Sequence, residues 1–365
     1  MEQTLLGRPA RFAGGLHEIA RDTYAWLQPN GEWGESNAGL VVGEDAAALI
    51  DTLWDIRLTL RMLEAIRERV AVPIETVVNT HSDGDHVWGN QLLAGAKFVA
   101  TSAAARVIHE ESPEQIARFK ALAGALRRVG ALPLPVLGRI DLPLLPSLPT
   151  RRLGDYVGAM LAPYDFSGIF VTPPGQEFDG ELTLTVGGRQ LRLIEVGPAH
   201  TAGDLIVHLP DVGVCFAADV LFVGVTPVMW AGPTANWITA LDRILALDVE
   251  LVVPGHGPIG GPAEVELLRC YFKWLDAAAG PLLAAGRSVP DSARELLRSR
   301  EYRDAPWAGW DSPERIVITL ATIDRRRRAA ETGRDRGAAA GVGARERIVL
   351  FSQVAALAAE HGGKR

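Results

Sequence analysis

Four side chains that can bind a metal ion stand within six residues of one another, in the stretch Thr80-His81-Ser82-Asp83-Gly84-Asp85-His86. Imidazole and carboxylate groups are the usual protein ligands of zinc, iron and manganese. The apolar run at 74–78 that precedes them is typical of a buried strand, and α/β sheets place their ligands at the carboxyl ends of strands. The stretch therefore predicts a metal site whose remaining ligands come from elsewhere in the chain.

Three later motifs supply further candidate ligands, each beside a strand-like run. His200 follows the strand predicted over 191–196, Asp219 ends a second predicted strand, and His256 ends a third in the sequence Pro254-Gly255-His256-Gly257. Five or six such ligands are enough for two ions that share a water molecule. We therefore expect these motifs to meet the first one at one edge of a sheet.

The order of these motifs resembles that of the metallo-β-lactamase superfamily, over residues 15–262. That family carries His-x-His-x-Asp-His, then a His, then a bridging Asp, and then a His in Pro-Gly-His-Gly. The ligand sets that the resemblance implies are, for one ion, His81, Asp83 and His200; for the other, Asp85, His86 and His256; and, shared between the two ions, Asp219. The resemblance also implies that Asp51 supports the ligands from behind, although a plain turn residue is the alternative.

Asp83 departs from the family pattern, which has a histidine at this place. A carboxylate adds negative charge and makes the site harder, which favours iron or manganese and lowers the Lewis acidity of the ion. Superfamily members with a carboxylate here include di-iron redox enzymes, so a di-iron oxidoreductase or oxygenase is the alternative function. A weakened first site, in which Asp83 only orients a water molecule or the substrate, is a further alternative.

The chemistry expected of two such ions is hydrolysis without a serine or cysteine nucleophile. A bound ion lowers the pKa of water from about 16 toward about 7 and so yields a metal-bound hydroxide at neutral pH. Asp85 is expected to accept or relay the proton. We therefore expect a hydrolase of an ester, lactone, thioester or amide of a small, apolar substrate. Its cofactors would be two divalent ions, with zinc expected and iron or manganese as alternatives.

The composition is that of an ordinary soluble globular protein. The 365 residues are 48% hydrophobic and 22% charged, which allows a sizeable core. The net charge of −7 argues against a nucleic-acid partner, because phosphate binding needs a basic surface. No apolar run reaches about 18 residues and no signal segment is visible, so we expect a cytoplasmic protein without a membrane partner. Cys215 and Cys270 are expected to be buried and reduced.

The elements that must position the ligands are strands and helices in repeated alternation. Short apolar runs over 17–52 predict a β-meander, 55–70 predicts an amphipathic helix, and 182–195 predicts a hairpin around Gly187-Gly188. By the resemblance, these elements belong to an α/β fold, a four-layer αββα sandwich with the ions at its edge. The domain expected from it covers 15–262.

Residues 102–178 are expected to be an insertion in that sandwich. Pro113 is predicted to begin a helix, whereas leucines alternate with prolines over 132–149, a pattern that excludes a helix interior or a central strand. We expect a lid over the ions, and packing against the partner in a homodimer or against the domain's own flank is the alternative. The residues expected to form its apolar wall are Leu134, Leu144, Leu145, Leu148, Tyr156, Met160, Tyr164 and Phe166.

The rest of the chain is expected to be helical. Residues 263–330 are predicted to form an extension packed on the sandwich, and 331–365 a linker with a terminal helix that docks on its own or on a second subunit. The basic run 325–328 is interpreted as a solvated helix end. Trp230 is a candidate for the pocket wall. The remaining histidines are assigned no role; they are His17, His109, His208 and His361.

Overall fold

A computed structural model describes residues 3–110, 112–130, 150–332 and 342–362. Its strands form two sheets. The first sheet holds β1 Gly15–Ala20, β2 Thr23–Leu27, β3 Ala38–Val42, β4 Ala47–Ile50, β5 Ile74–Val78, β6 Lys97–Thr101 and β7 Gln176–Phe178. The second sheet holds β8 Glu181–Val186, β9 Arg189–Glu195, β10 Leu205–Leu209, β11 Val214–Phe222 and β12 Leu251–His256.

The helices lie outside the two sheets. They are α1 Ile56–Arg67, α2 Gly84–Val87, α3 Ser102–Glu110, α4 Pro113–Gly130, α5 Thr150–Leu161, α6 Thr234–Leu245, α7 Pro262–Ala284, α8 Val289–Arg298, α9 Arg300–Arg303, α10 Ile316–Glu331 and α11 Ala344–Gly362. Within the described ranges, none of these helices combines the length and the apolar content that crossing a membrane requires.

In the first sheet, the strands lie side by side in the order in which they occur in the chain, from β1 to β7. The first four strands pair antiparallel, as the predicted meander requires. From β4 onward each new pair is parallel, because helical crossovers return the chain to the same end of the sheet. The carboxyl end of β5 therefore lies at the same end of the sheet as the carboxyl ends of β4, β6 and β7.

The second sheet has the order β12-β11-β10-β9-β8. Its strands pair antiparallel through β11, with the predicted two-residue turn Gly187-Gly188 between β8 and β9. Only β11 and β12 pair in parallel, which brings their carboxyl ends to the same edge.

Three apolar clusters fill the spaces between the layers, and they confirm the predicted αββα sandwich. Residues from both sheets, such as Val78 and Phe216, form the central cluster. On the outer face of the first sheet, α1 and the helices of 102–178 bury residues such as Met62 and Val157. On the outer face of the second sheet, residues such as Trp237 pack with α7, α8, α10 and α11.

Helix α1 shows how the sequence sets these boundaries. The side chain of Asp55 accepts a hydrogen bond from the backbone N–H of Leu58 at 2.7 Å, which satisfies a donor at the helix start. Leu58, Met62 and Ile66 lie on the buried face at the spacing expected for an amphipathic helix. The predicted helix over 55–70 is thus confirmed with slightly shorter bounds.

Two local predictions differ from the structure. The sequence also predicts that a helix starts over 87–93, but the chain forms only a 3₁₀ turn over 90–93 there, after the single turn α2. Asp219 does not end its strand, because β11 continues to Phe222 with an irregular register against β12. That irregularity turns the Asp219 side chain toward the edge where the other candidate ligands lie.

The predicted lid is only partly within the described residues. Leu134, Leu144, Leu145 and Leu148 lie outside them. Of the other four wall residues, Met160 lines the pocket described below, whereas Tyr164 and Phe166 are buried in the helical layer over the first sheet. Tyr156 packs between the two outer helical clusters.

Candidate metal centre and its pocket

The structure brings all seven predicted ligands to one edge of the sandwich. They come from the segment after β5, the loop between β9 and β10, the interior of β11 and the end of β12. Asp219 lies at their centre. Its carboxylate oxygens are 3.1 Å from Nε2 of His86 and 3.2 Å from Nε2 of His200. The Nε2 atoms of His256 and His81 are 3.6 Å and 4.0 Å away.

Around Asp219, the other six side chains form two groups. His81, Asp83 and His200 offer ligand atoms that all lie within 4.8 Å of one another. The same holds for Asp85, His86 and His256. These two groups are the sets that the sequence resemblance implies, and each is small enough to surround one ion.

Three of the four histidines are held so that Nε2 faces the centre. Nδ1 of His86 is 2.9 Å from Asp51 Oδ2, and Nδ1 of His200 is 2.6 Å from the backbone oxygen of Val228. Nδ1 of His81 is 2.9 Å from the hydroxyl of Thr80. With Nδ1 hydrogen-bonded in this way, each ring presents its Nε2 to the centre, where a neutral imidazole would offer a lone pair to a metal ion.

Asp51 ties two of these histidines together. Besides its contact with His86, its carboxylate accepts hydrogen bonds from the backbone N–H of Thr80 at 2.8 Å and from the Thr80 hydroxyl at 2.6 Å. The hydroxyl in turn supports His81. Asp51 takes a left-handed backbone conformation with φ of 64°, which turns its side chain into this position. The supporting role implied for Asp51 agrees with this geometry.

The centre attracts positive charge. Burial alone would raise the pKa of Asp219, but the imidazoles of His256, His86 and His200 hold it well below its usual range. Burial opposes the charged form of His200 too, yet Asp219 and Asp83 outweigh it and raise the pKa of His200 to about 10. Burial and the neighbouring His86 lower the pKa of His81 to about 4. The carboxylates of Asp83 and Asp219 therefore favour positive charge beside them.

The geometry fits divalent ions better than a hydrogen-bond network. Nε2 of His81, Nε2 of His86 and Oδ1 of Asp219 are buried and have no hydrogen-bond partner in the described part of the chain, although His86 and Asp219 are close. Buried polar atoms without partners are costly, so a native site normally satisfies them with another group. Converging imidazole nitrogens and carboxylate oxygens are a donor set that zinc, iron and manganese accept.

Close packing behind the centre explains a glycine of the predicted motif. A Cβ atom on Gly255 would collide with Oδ1 of Asp219 and with the backbone of Ala218. Ala218 itself has a positive φ of 45°, a strained conformation directly before the central carboxylate. Gly255 therefore allows β12 to lie against β11 closely enough for His256 to reach Asp219.

A cavity of about 500 Å³ opens directly onto the centre. Asp83, Asp85, His200, Asp219 and His256 form its floor. Its walls are mainly aromatic and apolar, and they include Trp33, Trp54, Trp88, Ile116, Phe119, Met160, Leu161, Phe222, Val228, Trp230, Val342, Ile348 and Phe351. A volume of this size holds a small organic molecule. The candidate pocket role of Trp230 therefore agrees with the structure.

Several wall residues could not be found from the sequence. Trp33 lies in a loop before β3, and Phe351 lies on α11, which encloses the pocket. Arg315 and Arg347 also line the cavity. The sequence around Trp33 offers no signal beyond the Trp33-Gly34 pair itself. Arg315, Arg347 and Phe351 stand in ordinary helical patterns.

The remaining predictions concern residues outside the centre. Arg325 donates to the backbone oxygen of Trp230 at 2.6 Å, and Arg327 and Arg328 pair with Asp324, so this basic run holds internal contacts. Both cysteines are free; Cys215 is buried as expected, but Cys270 is exposed because it lies on the outer face of α7.

Comparison with known families supports this description. The chain matches the family model described as the metallo-beta-lactamase superfamily over residues 31–256. It is 31% identical over 125 residues to the 2,4-dinitroanisole O-demethylase subunit alpha of Nocardioides sp.. It is 24% identical over 238 residues to the linear primary-alkylsulfatase of Pseudomonas sp.. These matches cover 33% and 62% of this chain, and only 36% and 42% of the two relatives.

Two solved structures share the fold. A metallo-beta-lactamase from Pontibacter korlensis superposes with a TM-score of 0.51 and 18% identity, covering 71% of this chain and 98% of that one. The stereoselective inverting sec-alkylsulfatase from Pseudomonas sp. gives a TM-score of 0.60 and 18% identity, covering 86% of this chain and 50% of that one.

Proposed function

Because the chain belongs to the metallo-beta-lactamase superfamily, we propose that it is a metal-dependent hydrolase that cleaves an ester, lactone, thioester or amide of a small, apolar substrate. The observation that carries this proposal is the opening of two His/Asp ligand groups into an aromatic pocket of about 500 Å³. In such a pocket the apolar walls bind the substrate, and the few polar groups at the floor fix the reacting bond.

Two divalent ions would be bound by the two ligand groups, with Asp219 between them. Bound ions would supply Lewis acidity and would lower the pKa of a water molecule, so that no side-chain nucleophile is needed. We propose zinc for the hydrolase.

The chain's own residues would orient the substrate and take up a proton. Asp85 lines the pocket and keeps 15% of its side chain exposed, whereas Asp219 keeps only 5%. Oδ2 of Asp85 is also 3.5 Å from Nε2 of His256. Asp85 can therefore both bind an ion and accept a proton from the pocket side, as can Asp83, whose side chain is 25% exposed. Trp33, Trp54 and Trp88 would hold the apolar part of the substrate and exclude water.

The bond that is cleaved is inferred from the pocket and from the relatives. Esters, lactones, thioesters and amides can all be attacked by a water molecule whose pKa a bound metal ion would lower. Two relatives are named for chemistry at an oxygen that carries an alkyl group, an O-demethylase and an alkylsulfatase. Sulfate esters and aryl methyl ethers therefore join the substrate classes that we propose for this pocket.

The test is a panel assay on the purified, metal-containing protein. The panel holds a phenyl ester, a lactone, a thioester, an alkyl sulfate and an aryl methyl ether. Hydrolysis of a panel member should stop after treatment with a chelator and return when the metal is restored. Hydrolysis that continues at full rate in metal-free protein would refute the proposal.

A di-iron redox enzyme is the second candidate, and one observation favours it. Oδ2 of Asp83 lies 3.1 Å from Nε2 of His200, so a carboxylate occupies the ligand position where the family has histidine. Elemental analysis, with absorption spectra before and after dithionite, separates the two candidates. Two zinc ions per chain without visible bands would support the hydrolase. Two iron ions with bands that bleach would support the redox enzyme.

Replacing Asp83 by histidine should shift the metal preference toward zinc. The change exchanges a hard, charged oxygen ligand for a neutral nitrogen ligand. The measurement is competition between zinc and iron or manganese for metal-free wild type and Asp83→His. Asp211→Asn is a suitable control, because Asp211 pairs with Arg189 away from the centre. Unchanged selectivity in Asp83→His would mean that Asp83 is not a ligand.

Replacing Asp51 by asparagine should weaken metal binding by about 10- to 100-fold without removing a ligand. The amide cannot accept from His86 and from both Thr80 donors as the carboxylate does, so the imidazoles lose their fixed orientation. Titration against a chelator of known affinity measures the effect. The exposed Asp45 on the same hairpin provides the matched control Asp45→Asn. Equal affinities in Asp51→Asn and wild type would contradict the supporting role.

A further inference from the structure

Arg315 is a buried cation in the wall of the pocket. It ends the 3₁₀ turn Pro313–Arg315 directly before α10, and only 2% of its surface is exposed. It lines the same cavity as the candidate metal ligands. Its guanidinium carbon lies 4.4 Å above the ring of Trp33, so the flat face of the guanidinium group is covered. An arginine so deeply buried is rare unless it is paired.

One edge of this guanidinium group has no partner among the residues that the structure describes. Nε and Nη2 of Arg315 are both buried, and within those residues neither has a hydrogen-bond acceptor. These two nitrogens form the side edge of the group, whose parallel N–H bonds match the two oxygens of a carboxylate or of a sulfate. A buried donor without an acceptor is costly, and here two adjacent donors are left at once.

The nearby carboxylates do not fill this edge. Glu32 pairs with Arg8 at 2.5 Å, and Glu35 accepts from the backbone N–H groups of Leu5 and Glu32. Glu314 is 3.3 Å from the hydroxyl of Tyr156. Burial raises the pKa values of Glu32 and Glu35, and Arg315 is among the cations that oppose this rise. These acids balance the charge of Arg315 without giving its Nε or Nη2 an acceptor.

Arg347 is the other guanidinium group that lines the pocket, and its position is different. It lies 5.5 Å from the ring of Trp230, its Nε donates to the backbone oxygen of Val342, and it is only partly buried. Arg347 is also close to Asp83. Burial raises the pKa of Asp83, whereas His200 and, more weakly, Arg347 lower it. The Arg315 edge is therefore the better candidate for a substrate group.

We propose that Arg315 binds an anionic group of the substrate, a carboxylate or a sulfate, through the paired N–H bonds of Nε and Nη2. The inference rests on the proposed function in that it takes this cavity to be the substrate pocket. The substrate would then be an amphiphile. Its apolar body would lie along the aromatic walls, and its anionic group would meet Arg315.

The test is calorimetric binding to the metal-containing protein with three probes that share one alkyl chain. Hexanoate and hexyl sulfate carry an anionic group, whereas hexan-1-ol does not. In Arg315→Met we expect the affinity for the anions that wild type binds to fall by about 10- to 100-fold, as for lost charge-assisted hydrogen bonds. Binding of hexan-1-ol should change by less than about twofold, since the apolar walls are intact.

Two further variants make the result specific. Arg315→Lys keeps the charge but lacks the paired edge, so its loss of anion binding should be intermediate, and it carries the test if Arg315→Met does not fold. Arg11→Met is the matched control, because Arg11 pairs with Asp311 near the same turn but does not line the cavity. Its anion binding should equal that of wild type.

The outcomes separate the sources of the anion. Loss of hexyl sulfate binding alone would indicate sulfate recognition, and loss of hexanoate binding alone would indicate a carboxylate; loss of both would indicate anions of either kind. Anion affinity that is unchanged in the Arg315 variants, or a loss that hexan-1-ol shares equally, would overturn the proposal. Because the readout is binding, the result stands whether or not the panel assay detects hydrolysis.

Discussion

Asp219→Asn is expected to lose most of both metal ions and to lower hydrolysis by about 100- to 1,000-fold, the size expected for several kcal/mol of lost metal catalysis. The reason is the central place of this carboxylate, which has oxygen atoms between 3.1 Å and 4.0 Å from the Nε2 atoms of four histidines. An amide has one neutral acceptor oxygen, so it cannot bridge two ions. Elemental analysis per chain and the rate with the best panel substrate measure the two losses.

The control for Asp219→Asn must separate metal loss from unfolding. Asp242→Asn changes a surface carboxylate that pairs with Arg269 on the outer helices. It should keep the metal content and activity of wild type. Thermal melting of metal-free protein should show that Asp219→Asn still folds. A full complement of two ions in folded Asp219→Asn would exclude a bridging role for Asp219.

His256→Ala is expected to lose about one equivalent of metal and most of the activity. His256 shares its ligand group with Asp85 and His86, whereas the other group keeps all three of its own members. Its ring also stacks on Phe222, with centroids 5.3 Å apart and an angle of 2° between the planes, so the imidazole has a fixed direction. Alanine removes the nitrogen ligand and leaves the other ion in place.

The exposed His109 on α3 gives the matched control His109→Ala, which should keep both ions. Metal analysis of both variants, after dialysis against the same buffer, gives the comparison. If His256→Ala retained two equivalents of tightly bound metal, the assignment of the second ligand group would be wrong.

The place of the centre was predictable because its signals are local, whereas the sandwich was predicted from the family resemblance. The apolar strand before His81 and the Pro-Gly-His-Gly motif around His256 each mark a strand end beside a potential ligand. Strand ends that share one edge must bring such ligands together. The exact course of β11 through Asp219 was not predictable, because it depends on its register against β12 and on the close approach of Gly255.

The pocket was much less predictable than the centre. Trp33 and Arg315 lie far apart in the sequence, on either side of most of the family domain, yet they stack on each other. Phe351 adds a third segment, with its ring centroid 5.3 Å from that of Trp33. Nothing in the periodicity around any of these residues indicates its partner, since such contacts arise only from tertiary packing. Asp51 stands between these cases. The resemblance implied its role, and only the hydrogen bonds to Thr80 and His86 distinguish it from a turn residue.

The enclosure of the pocket by α11 has a consequence for biosynthesis. Every candidate ligand precedes residue 257, whereas Arg315 and the wall residues of 342–351 follow it in the chain. Domains generally fold from the amino terminus while the ribosome is still working. The candidate ligands and most of the aromatic wall are therefore synthesised before Arg315 and α11. A nascent chain that ends before residue 315 would present the candidate ligands in a pocket that still lacks Arg315 and the wall residues of 342–351.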